Sequence, residues 1–274
     1  NMWIKNSLKI TILVIAIFQS NYDHMKLTSK LSFGEKLGYS LGDTASNLYW
    51  QTIAMFLMYF YTDVYGMTPA AAGTMFLVVR FFDFANDPIM GILADRTNTR
   101  WGKFRPFLLY LALPFAIIGI LTFTTPDFGE TGKMVYAYLT YTFLMVIYTA
   151  INIPYSALMG VLSSDPLERT KAASYRFIAA FAGGLIVQAT ALKLVKVFGG
   201  DNEALGWQLT MSVFAFMAAA LFIATFATTR ERVQPPKAQK NSIKLDLKQL
   251  VVNLPWWILV AVGIFLLTFV TIRN

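Results

Sequence analysis

Seven long apolar segments limit how this chain of 274 residues can fold. Each is about as long as the 17–25 residues that an α-helix needs to cross the hydrocarbon of a bilayer, or somewhat longer. Because backbone polar groups cannot stay unpaired in lipid, each segment is predicted to be a helix. The segments are residues 44–61, 70–93, 107–123, 134–162, 175–197, 209–225 and 256–272.

The composition argues against an ordinary soluble protein. Hydrophobic residues make up 56% of the chain and charged residues 14%, whereas about 25% of a typical soluble domain is charged. The absence of cysteine excludes disulfides and thiolate metal sites. No HExxH or GxSxG motif lies in an apolar segment and there is no nucleotide-binding loop. The sequence therefore predicts an all-α membrane protein that is neither an enzyme nor an ATP-driven pump and that has no cofactor.

The net charge of +8 is distributed unevenly along the chain. Lys and Arg are concentrated before the first segment and in the connections that follow the second, fourth and sixth segments. An excess of Lys and Arg marks the cytoplasmic side of a membrane protein. We therefore predict a multi-pass protein of the cell (inner) membrane with a cytoplasmic N-terminus and no nucleic-acid partner.

The segments and connections predict four parts of the chain. These are a doubtful extension with the cytoplasmic N-terminus, a six-helix transmembrane bundle, a cytoplasmic linker, and the start of a second bundle: residues 1–30, 31–229, 230–254 and 255–274. Within the first part, residues 1–24 are read either as sequence upstream of a start at Met25 or as a signal-like segment. Apolar residues spaced as in a helix predict an amphipathic helix on the inner leaflet within the linker.

The second apolar segment contains charged residues that are costly in a membrane. A charged side chain at the centre of a transmembrane helix costs about 2.5–3.5 kcal/mol or more, so it usually faces a partner or a transport path. Asp83 and Asp87 are four residues apart and are expected on one face, with Arg80 a turn before Asp83. Two adjacent carboxylates need a cation between them, a shared proton, or Arg80. The residues alone leave open a cation site or a fixed salt-bridge cluster.

Two motifs around this segment resemble a known family. Residues 83–91 (DFANDPIMG) and 95–106 (DRTNTRWGKFRP) closely resemble the glycoside–pentoside–hexuronide:cation symporters. The resemblance continues through residues 59–66, 148–155 and 175–177, and it covers the chain from Leu31 onwards. It implies the N-terminal six-helix bundle of a major facilitator fold plus a seventh span. It also implies that the C-terminal six-helix half is missing from this chain and belongs to the full-length protein.

The family resemblance implies a cation site on the second and fourth segments. Asp83 and Asp87 match the carboxylates of the family's cation site, Thr149 matches a further polar contributor, and Asn86 lies between the two acids. Oxygen-rich groups suit hard cations. The implied ion is Na⁺ bound at Asp83 and Asp87, or H⁺ in its place.

The same resemblance implies a sugar site. Spacing alone leaves Asp43 open as a helix N-cap, whereas the family pattern makes it a sugar ligand and places Arg176 beside the sugar. Asn152 and Ser156 are also expected there, although melibiose permease, a family member, has a carboxylate and a tryptophan at these positions. That member also has a lysine where this chain has Gly42. The sugar therefore stays open between a glycoside, a pentoside and an anionic hexuronide.

The basic connection after the second segment is predicted to take part in gating. Arg96 and Arg100 are most simply determinants of topology that face lipid headgroups. As a hypothesis, Asp95 pairs with a basic residue of this loop, or with the opposite bundle, and releases when the transporter switches. Arg80 is grouped with these gating or structural residues.

Two classes of function follow. The first is sugar uptake coupled to Na⁺ or H⁺ by alternating access, with a sugar, the cation and the lipid bilayer as partners. The second is a carrier of another cargo, such as a lipid or a drug, or a fragment that does not transport.

Overall fold

The computed structural model describes residues 30–233 and 251–273. These residues form seven long helices: α1 Phe33–Thr52, α2 Pro69–Arg96, α3 Arg105–Thr122, α4 Glu130–Leu162, α5 Pro166–Gly199, α6 Glu203–Thr228 and α7 Leu254–Arg273. After α1, the chain continues through two π-helical stretches, Ile53–Leu57 and Phe60–Val64. Each predicted apolar segment lies inside one of these helical stretches, to within one residue, and the helices extend further at one or both ends. The all-α fold is confirmed.

The chain divides into two units after Val233. Helices α1–α6 belong to the first unit and α7 to the second. Residues 1–29 and 234–250 lie outside the described residues, and with them the predicted extension and most of the predicted amphipathic helix. The proposed division of the chain into four parts thus stays a prediction.

Four helices, α3 to α6, are long and apolar enough to cross a membrane by length and composition. Helices α1 and α2 are also long, but α1 contains Asp43 and α2 contains Arg80, Asp83 and Asp87. In α7 the apolar stretch found is shorter, Leu254–Phe265. The two helices that hold the predicted site acids are therefore not among these four.

The start of α1 is set by a local capping signal. The Ser32 hydroxyl accepts a hydrogen bond from the Glu35 backbone N–H, and the Glu35 carboxylate accepts one from the Ser32 N–H. This reciprocal pair satisfies two free donors at a helix N-terminus. Helix α1 thus begins at Phe33, and Asp43 lies in its middle. The alternative that Asp43 is a helix cap is wrong.

Helix α1 packs against α5 and α6, while α3 packs against α4 and α6 and α2 packs against α4. Gly183 permits the close approach of α5 to α1, because a Cβ atom there would lie 2.9 Å from the carbonyl oxygen of Thr44. Between α1 and α3, the ring of Tyr49 stacks on Phe115 with centroids 3.8 Å apart. The Tyr49 hydroxyl donates to the Phe115 carbonyl oxygen at 2.9 Å. Small residues and satisfied polar groups therefore hold the helices together, as in other membrane bundles.

One end of the bundle carries the start of α1, the loop from α2 to α3 and the segment after α6; we call it the basic end. There the Glu231 carboxylate accepts hydrogen bonds from the backbone N–H groups of Lys103, Phe104 and Arg105 at 2.8, 2.7 and 3.0 Å. Arg105 begins α3, so a distant acid satisfies donors that the helix itself leaves unpaired. Gly102 is required beside it, since its φ is +110° and a Cβ would lie 2.5 Å from the Glu231 carboxylate.

Candidate functional site

Six of the predicted site residues lie in two clusters, both of which involve α4. We call Asp43, Arg176, Tyr39 and Tyr155 the paired cluster, and Asp83, Asn86, Asp87 and Thr149 the open cluster. Helix α4 supplies Tyr155 to the first and Thr149 to the second. In the paired cluster the carboxylate is bonded to an arginine of the same chain. In the open cluster the Asp83 carboxylate has no hydrogen-bond donor among the described residues.

In the paired cluster, Asp43 and Arg176 form a two-pronged salt bridge between α1 and α5. Arg176 Nε lies 2.7 Å from Asp43 Oδ2, and Nη2 lies 3.0 Å from Oδ1. Parallel bonds of this kind fix orientation as well as distance. Their side chains are 14% and 22% exposed. The sequence placed both residues at the sugar site, and the structure brings them into direct contact.

Two tyrosines complete the paired cluster. The guanidinium carbon of Arg176 lies 5.4 Å from the ring centre of Tyr39 and 4.8 Å from that of Tyr155, within the range of cation–π attraction. The Tyr39 hydroxyl donates to the Tyr155 carbonyl oxygen at 3.0 Å. The single hydroxyl proton of Tyr155 faces two acceptors, Asp43 Oδ2 at 2.5 Å and the Tyr39 carbonyl oxygen at 2.7 Å. Arg176 is therefore held by one carboxylate and two aromatic rings.

Gly42 explains how Tyr155 reaches Asp43. A Cβ atom at Gly42 would lie 2.4 Å from Cε2 of the Tyr155 ring. Any side chain at this position would collide with the ring where it now lies. Melibiose permease has a lysine at this position. The glycine of this chain leaves room for the Tyr155 ring beside Asp43.

The two remaining predicted sugar residues lie outside these contacts. Asn152 Oδ1 accepts a hydrogen bond from the Ser46 hydroxyl at 2.8 Å, and its amide donates to the Tyr148 carbonyl oxygen at 3.0 Å. Asn152 is therefore tied to α1 and to its own helix. Ser156 is exposed on α4. Neither residue contacts the Asp43–Arg176 pair through a hydrogen bond.

In the open cluster, Asp83 is buried with no hydrogen-bond partner. Among the described residues, neither Asp83 carboxylate oxygen has a donor, and the side-chain amide nitrogen of Asn86 has no acceptor. The nearest cation is Arg80, whose Nη1 lies 4.0 Å from Asp83 Oδ2, beyond hydrogen-bond distance. A buried carboxylate without donors is costly. The group therefore calls for a cation or a proton that the protein itself does not supply.

Asp87 differs from Asp83 although it is one turn further along α2. It is exposed, and its Oδ1 accepts a hydrogen bond from the Thr149 hydroxyl at 3.2 Å. Four residues turn an α-helix by slightly more than one full turn, so the two acids point in somewhat different directions. The expected shared face is therefore only approximate. The predicted grouping of Asp87 with Thr149 is reproduced by the structure.

Arg80 extends towards an aromatic ring more than towards the acids. Its guanidinium carbon lies 5.3 Å from the ring centre of Trp50, and Trp50 stacks on Tyr148 with centroids 5.8 Å apart. Arg80 and Tyr141 also line a cavity of about 180 Å³, together with residues of the first π-helical stretch, Ile53–Leu57. The alternative of a tight salt-bridge cluster among Arg80, Asp83 and Asp87 is not what the geometry shows.

The predicted gating residues lie at the basic end. Asp95 Oδ1 is 3.4 Å from Lys103 Nζ, which is the type of pairing expected within the loop, and the Asp95 side chain is 72% exposed. Arg100 lies over the ring of Trp101 at 4.5 Å. Arg96 is exposed. The structure places these residues on the surface, and their part in gating stays a prediction.

Sequence reasoning missed three contributors. Tyr155 ends the 148–155 motif and Tyr39 lies outside the motifs, and in both cases only contacts between distant segments reveal what the ring meets. The sequence prediction assigns Glu231 to the linker. Its only signal was an acid beside the basic residues Arg230 and Arg232, which gives no hint of a cap for α3.

The sequence comparisons identify the family. Residues 38–274 match the profile of a family described as MFS/sugar transport protein. The chain therefore belongs to this family of membrane transporters, and the resemblance to the glycoside–pentoside–hexuronide:cation symporters is confirmed.

Curated relatives support this assignment. The chain is 44% identical over 244 residues to the inner membrane symporter YicJ of Escherichia coli, covering 89% of this chain and 53% of the relative. It is 45% identical over 233 residues to a protein of E. coli provisionally named glycoside/cation symporter YagG, covering 85% and 51%. It is 41% identical over 234 residues to the isoprimeverose transporter of Lactiplantibacillus pentosus, covering 84% and 49%. The chain thus spans about half the length of the curated relatives it matches.

Proposed function

We propose that this chain forms the N-terminal half of a secondary active transporter that moves a sugar together with Na⁺ or H⁺ by alternating access. The sugar is a glycoside, a pentoside or a hexuronide. The protein lies in the inner membrane with its N-terminus in the cytoplasm, and a second six-helix bundle supplies the opposite wall of the transport path.

The observation that carries this proposal is the buried Asp83 carboxylate without a hydrogen-bond donor. Intramembrane acids usually mark ion or proton pathways. Asn86 and Asp87 follow Asp83 within about one helical turn and Thr149 is bonded to Asp87, so the open cluster offers further oxygen atoms, and Na⁺ is a hard cation that prefers oxygen ligands. A proton would satisfy Asp83 equally well by neutralising it. The coupling ion would then bind where the protein leaves a negative charge uncompensated.

The paired cluster supports a sugar as the cargo. Carboxylate and guanidinium groups accept and donate several hydrogen bonds, which suits a molecule rich in hydroxyl groups. The stacked rings of Trp50 and Tyr148 offer an aromatic surface of the kind that packs on a sugar ring. The names of the relatives, which include a sugar transporter and a glycoside/cation symporter, agree with this assignment.

The test is cation-dependent uptake of radiolabelled glycosides by the whole gene product that contains this chain. Asp83→Asn and Asp87→Asn should each abolish Na⁺- or H⁺-driven accumulation. Asp201→Asn serves as the control, because Asp201 is an exposed acid in the turn between α5 and α6. Accumulation that survives both site changes, or that is absent from well-expressed wild-type protein, contradicts the proposal.

A further inference from the structure

We infer that Lys36 and Glu168 are positioning residues of the sugar site, because their ion pair fixes the alignment of α1 and α5 that brings Asp43 opposite Arg176. This inference rests on the proposed function and adds to it two residues that lie outside both clusters. It follows from the arrangement of charges along the contact between these two helices.

A buried ion pair joins the starts of α1 and α5. Lys36 Nζ lies 2.6 Å from Glu168 Oε2, and the two side chains are 14% and 6% exposed. The same carboxylate oxygen accepts a hydrogen bond from the Leu31 backbone N–H, just before α1, at 3.3 Å. Separating the partners of a buried pair leaves a charge uncompensated away from water, which is strongly unfavourable. The pair therefore holds the two helix starts together.

The same two helices are joined again further along. Asp43 follows Lys36 by seven residues on α1, and Arg176 follows Glu168 by eight residues on α5. These spacings correspond to about two helical turns, or roughly 10–12 Å along each axis. Both ion pairs are thus satisfied by one parallel alignment of α1 and α5.

The charges of the two pairs have opposite order on the two helices. Helix α1 carries a cation and then an acid, whereas α5 carries an acid and then a cation. A shift of two turns in one direction would bring Lys36 to Arg176, and a shift in the other direction would bring Asp43 to Glu168. Both shifts place like charges together, and a smaller shift separates Glu168 from Lys36. The pattern therefore favours the observed alignment and disfavours the others.

The contact between the two ion pairs is close enough to transmit this alignment. Tyr39 on α1 and Ala172 on α5 lie between the pairs in sequence, and both are buried. Beyond Arg176, a Cβ atom at Gly183 would lie 2.9 Å from the Thr44 carbonyl oxygen. Small residues allow helix backbones to approach closely in a membrane bundle. A displacement at the helix starts is therefore carried towards Asp43.

The paired cluster is sensitive to such a displacement. The bonds from Arg176 to the two oxygens of Asp43 measure 2.7 and 3.0 Å and require a defined orientation as well as a distance. A relative movement of about 1 Å is enough to weaken a binding site whose groups must be held in place by their surroundings. The affinity for the sugar should therefore depend on Lys36, which lies about two turns away from Asp43.

The test removes the link between the helices without leaving Glu168 free of cations. Lys36→Met keeps an apolar stem, and Lys171 Nζ remains 2.9 Å from Glu168 Oε1. The ligand is the nitrophenyl glycoside that the purified whole gene product binds best among the β-xyloside, β-glucoside, α-galactoside and β-glucuronide. Its affinity should fall by about tenfold in Lys36→Met.

The affinity for the coupling cation distinguishes a positioning role from a structural one. It is measured in sugar-free protein by titration with NaCl and by titration with acid. In Lys36→Met it should change by less than about twofold, because Asp83 and Asp87 lie on α2 and share no partner with Lys36. A loss of overall structure would lower both affinities together.

Three further variants provide controls. Lys36→Arg keeps the charge and should bind the glycoside within about twofold of the wild type. Lys171→Met removes a cation from the same carboxylate but breaks no bond between helices, so the glycoside affinity should again stay within about twofold. Adding Glu168→Gln to Lys36→Met should cause no further loss, because both changes break one link.

The outcomes separate this inference from the proposed function. Glycoside binding that is as tight in Lys36→Met as in the wild type overturns the positioning role and leaves the transporter assignment intact. Loss of cation binding together with glycoside binding, or failure of Lys36→Met to fold, assigns the pair to structure alone and also overturns it. An equal loss in Lys171→Met does the same. If the wild type binds none of the glycosides, the proposed function fails and this inference fails with it.

Discussion

The paired cluster and the open cluster both place carboxylates in the interior of the helical bundle, but they satisfy them differently. Asp43 receives two bonds from Arg176 and one from Tyr155. Asp83 receives none from the described residues, and its nearest guanidinium nitrogen is 4.0 Å away. Two acids of the same type, on neighbouring helices in sequence, thus have opposite surroundings.

The contrast indicates different roles. A carboxylate whose partners are built into the fold contributes to the structure of the empty protein and presents a fixed pattern to a ligand. A buried carboxylate without partners destabilises the ligand-free protein. An ion that binds to it removes this cost and thereby stabilises the folded state. Stability measurements on the two acids should therefore differ in sign.

The largest expected effect compares the same substitution in the two clusters. Asp43→Asn should lower the free energy of unfolding by about 2 kcal/mol, below the roughly 3–5 kcal/mol for a fully buried pair because the two side chains are partly exposed. Asp83→Asn should leave stability unchanged or raise it by up to about 1 kcal/mol, since it removes an unsatisfied charge. Thermal unfolding in detergent without Na⁺ measures both. Equal losses in the two variants would contradict the comparison.

An effect of comparable or smaller size is expected from crowding the paired cluster. Gly42→Ala places a Cβ atom 2.4 Å from the present position of the Tyr155 ring and must displace it. We expect a loss of about 1–3 kcal/mol in stability, the usual cost of overpacking, together with weaker sugar binding and unchanged Na⁺ affinity in sugar-free protein. Gly73→Ala is the control, because a Cβ atom there meets nothing within 4 Å but carries the same helix-propensity change. Weakened Na⁺ binding in Gly42→Ala would show that the clusters are not separable.

The open cluster can be weakened without altering its charge. Thr149→Val removes the hydroxyl that donates to Asp87 at 3.2 Å and keeps the shape of the side chain. A loss of about 1 kcal/mol, or about fivefold in the apparent affinity for the coupling cation, is expected. Sugar affinity at saturating cation should not change. Thr142→Val, two turns earlier on α4, is the matched control, and a loss as large there would remove the specific role of Thr149.

The smallest stability effect is expected at the surface. The Asp95–Lys103 pair is exposed, so Asp95→Asn should change the free energy of unfolding by less than about 1 kcal/mol. If the pair takes part in gating, the rate of transport falls while equilibrium sugar binding is retained. Counterflow rates and binding measured on one preparation test this, and an unchanged rate would reject the gating hypothesis.

The helices and the acids of α2 could be predicted from the sequence because their signals are local. Apolar length predicts a spanning helix, and an acid within it stands out by its cost. The start of α1 was also encoded locally, as Ser32 followed by Glu35, but the apolar pattern drew attention to a later start at Thr44. The capping signal is therefore sufficient to place the start of α1, whereas the apolar pattern alone places it too late.

The remaining features depend on contacts between distant residues. Tyr155 and Gly42 are far apart in the chain and touch only after α1 and α4 pack, and the Asp43–Arg176 bond requires α5 to lie against α1. The different exposure of Asp83 and Asp87 depends on which neighbours α2 finds. Helical spacing gives the relative direction of side chains but does not say what they meet.

The Glu231 carboxylate makes two parts of the chain mechanically dependent on one another. It bonds the backbone at the start of α3 to the residues that follow α6, beside the contact of Arg105 with Phe226 at the end of α6. A pull on those residues must either carry the α2–α3 loop with it or break three hydrogen bonds to one charged group, each worth about 1.5–3 kcal/mol. Because that loop continues directly from the helix that bears Asp83 and Asp87, Glu231 connects the residues after α6 to that helix, in addition to the backbone bonds of Arg232 and Val233 to Val161 on α4.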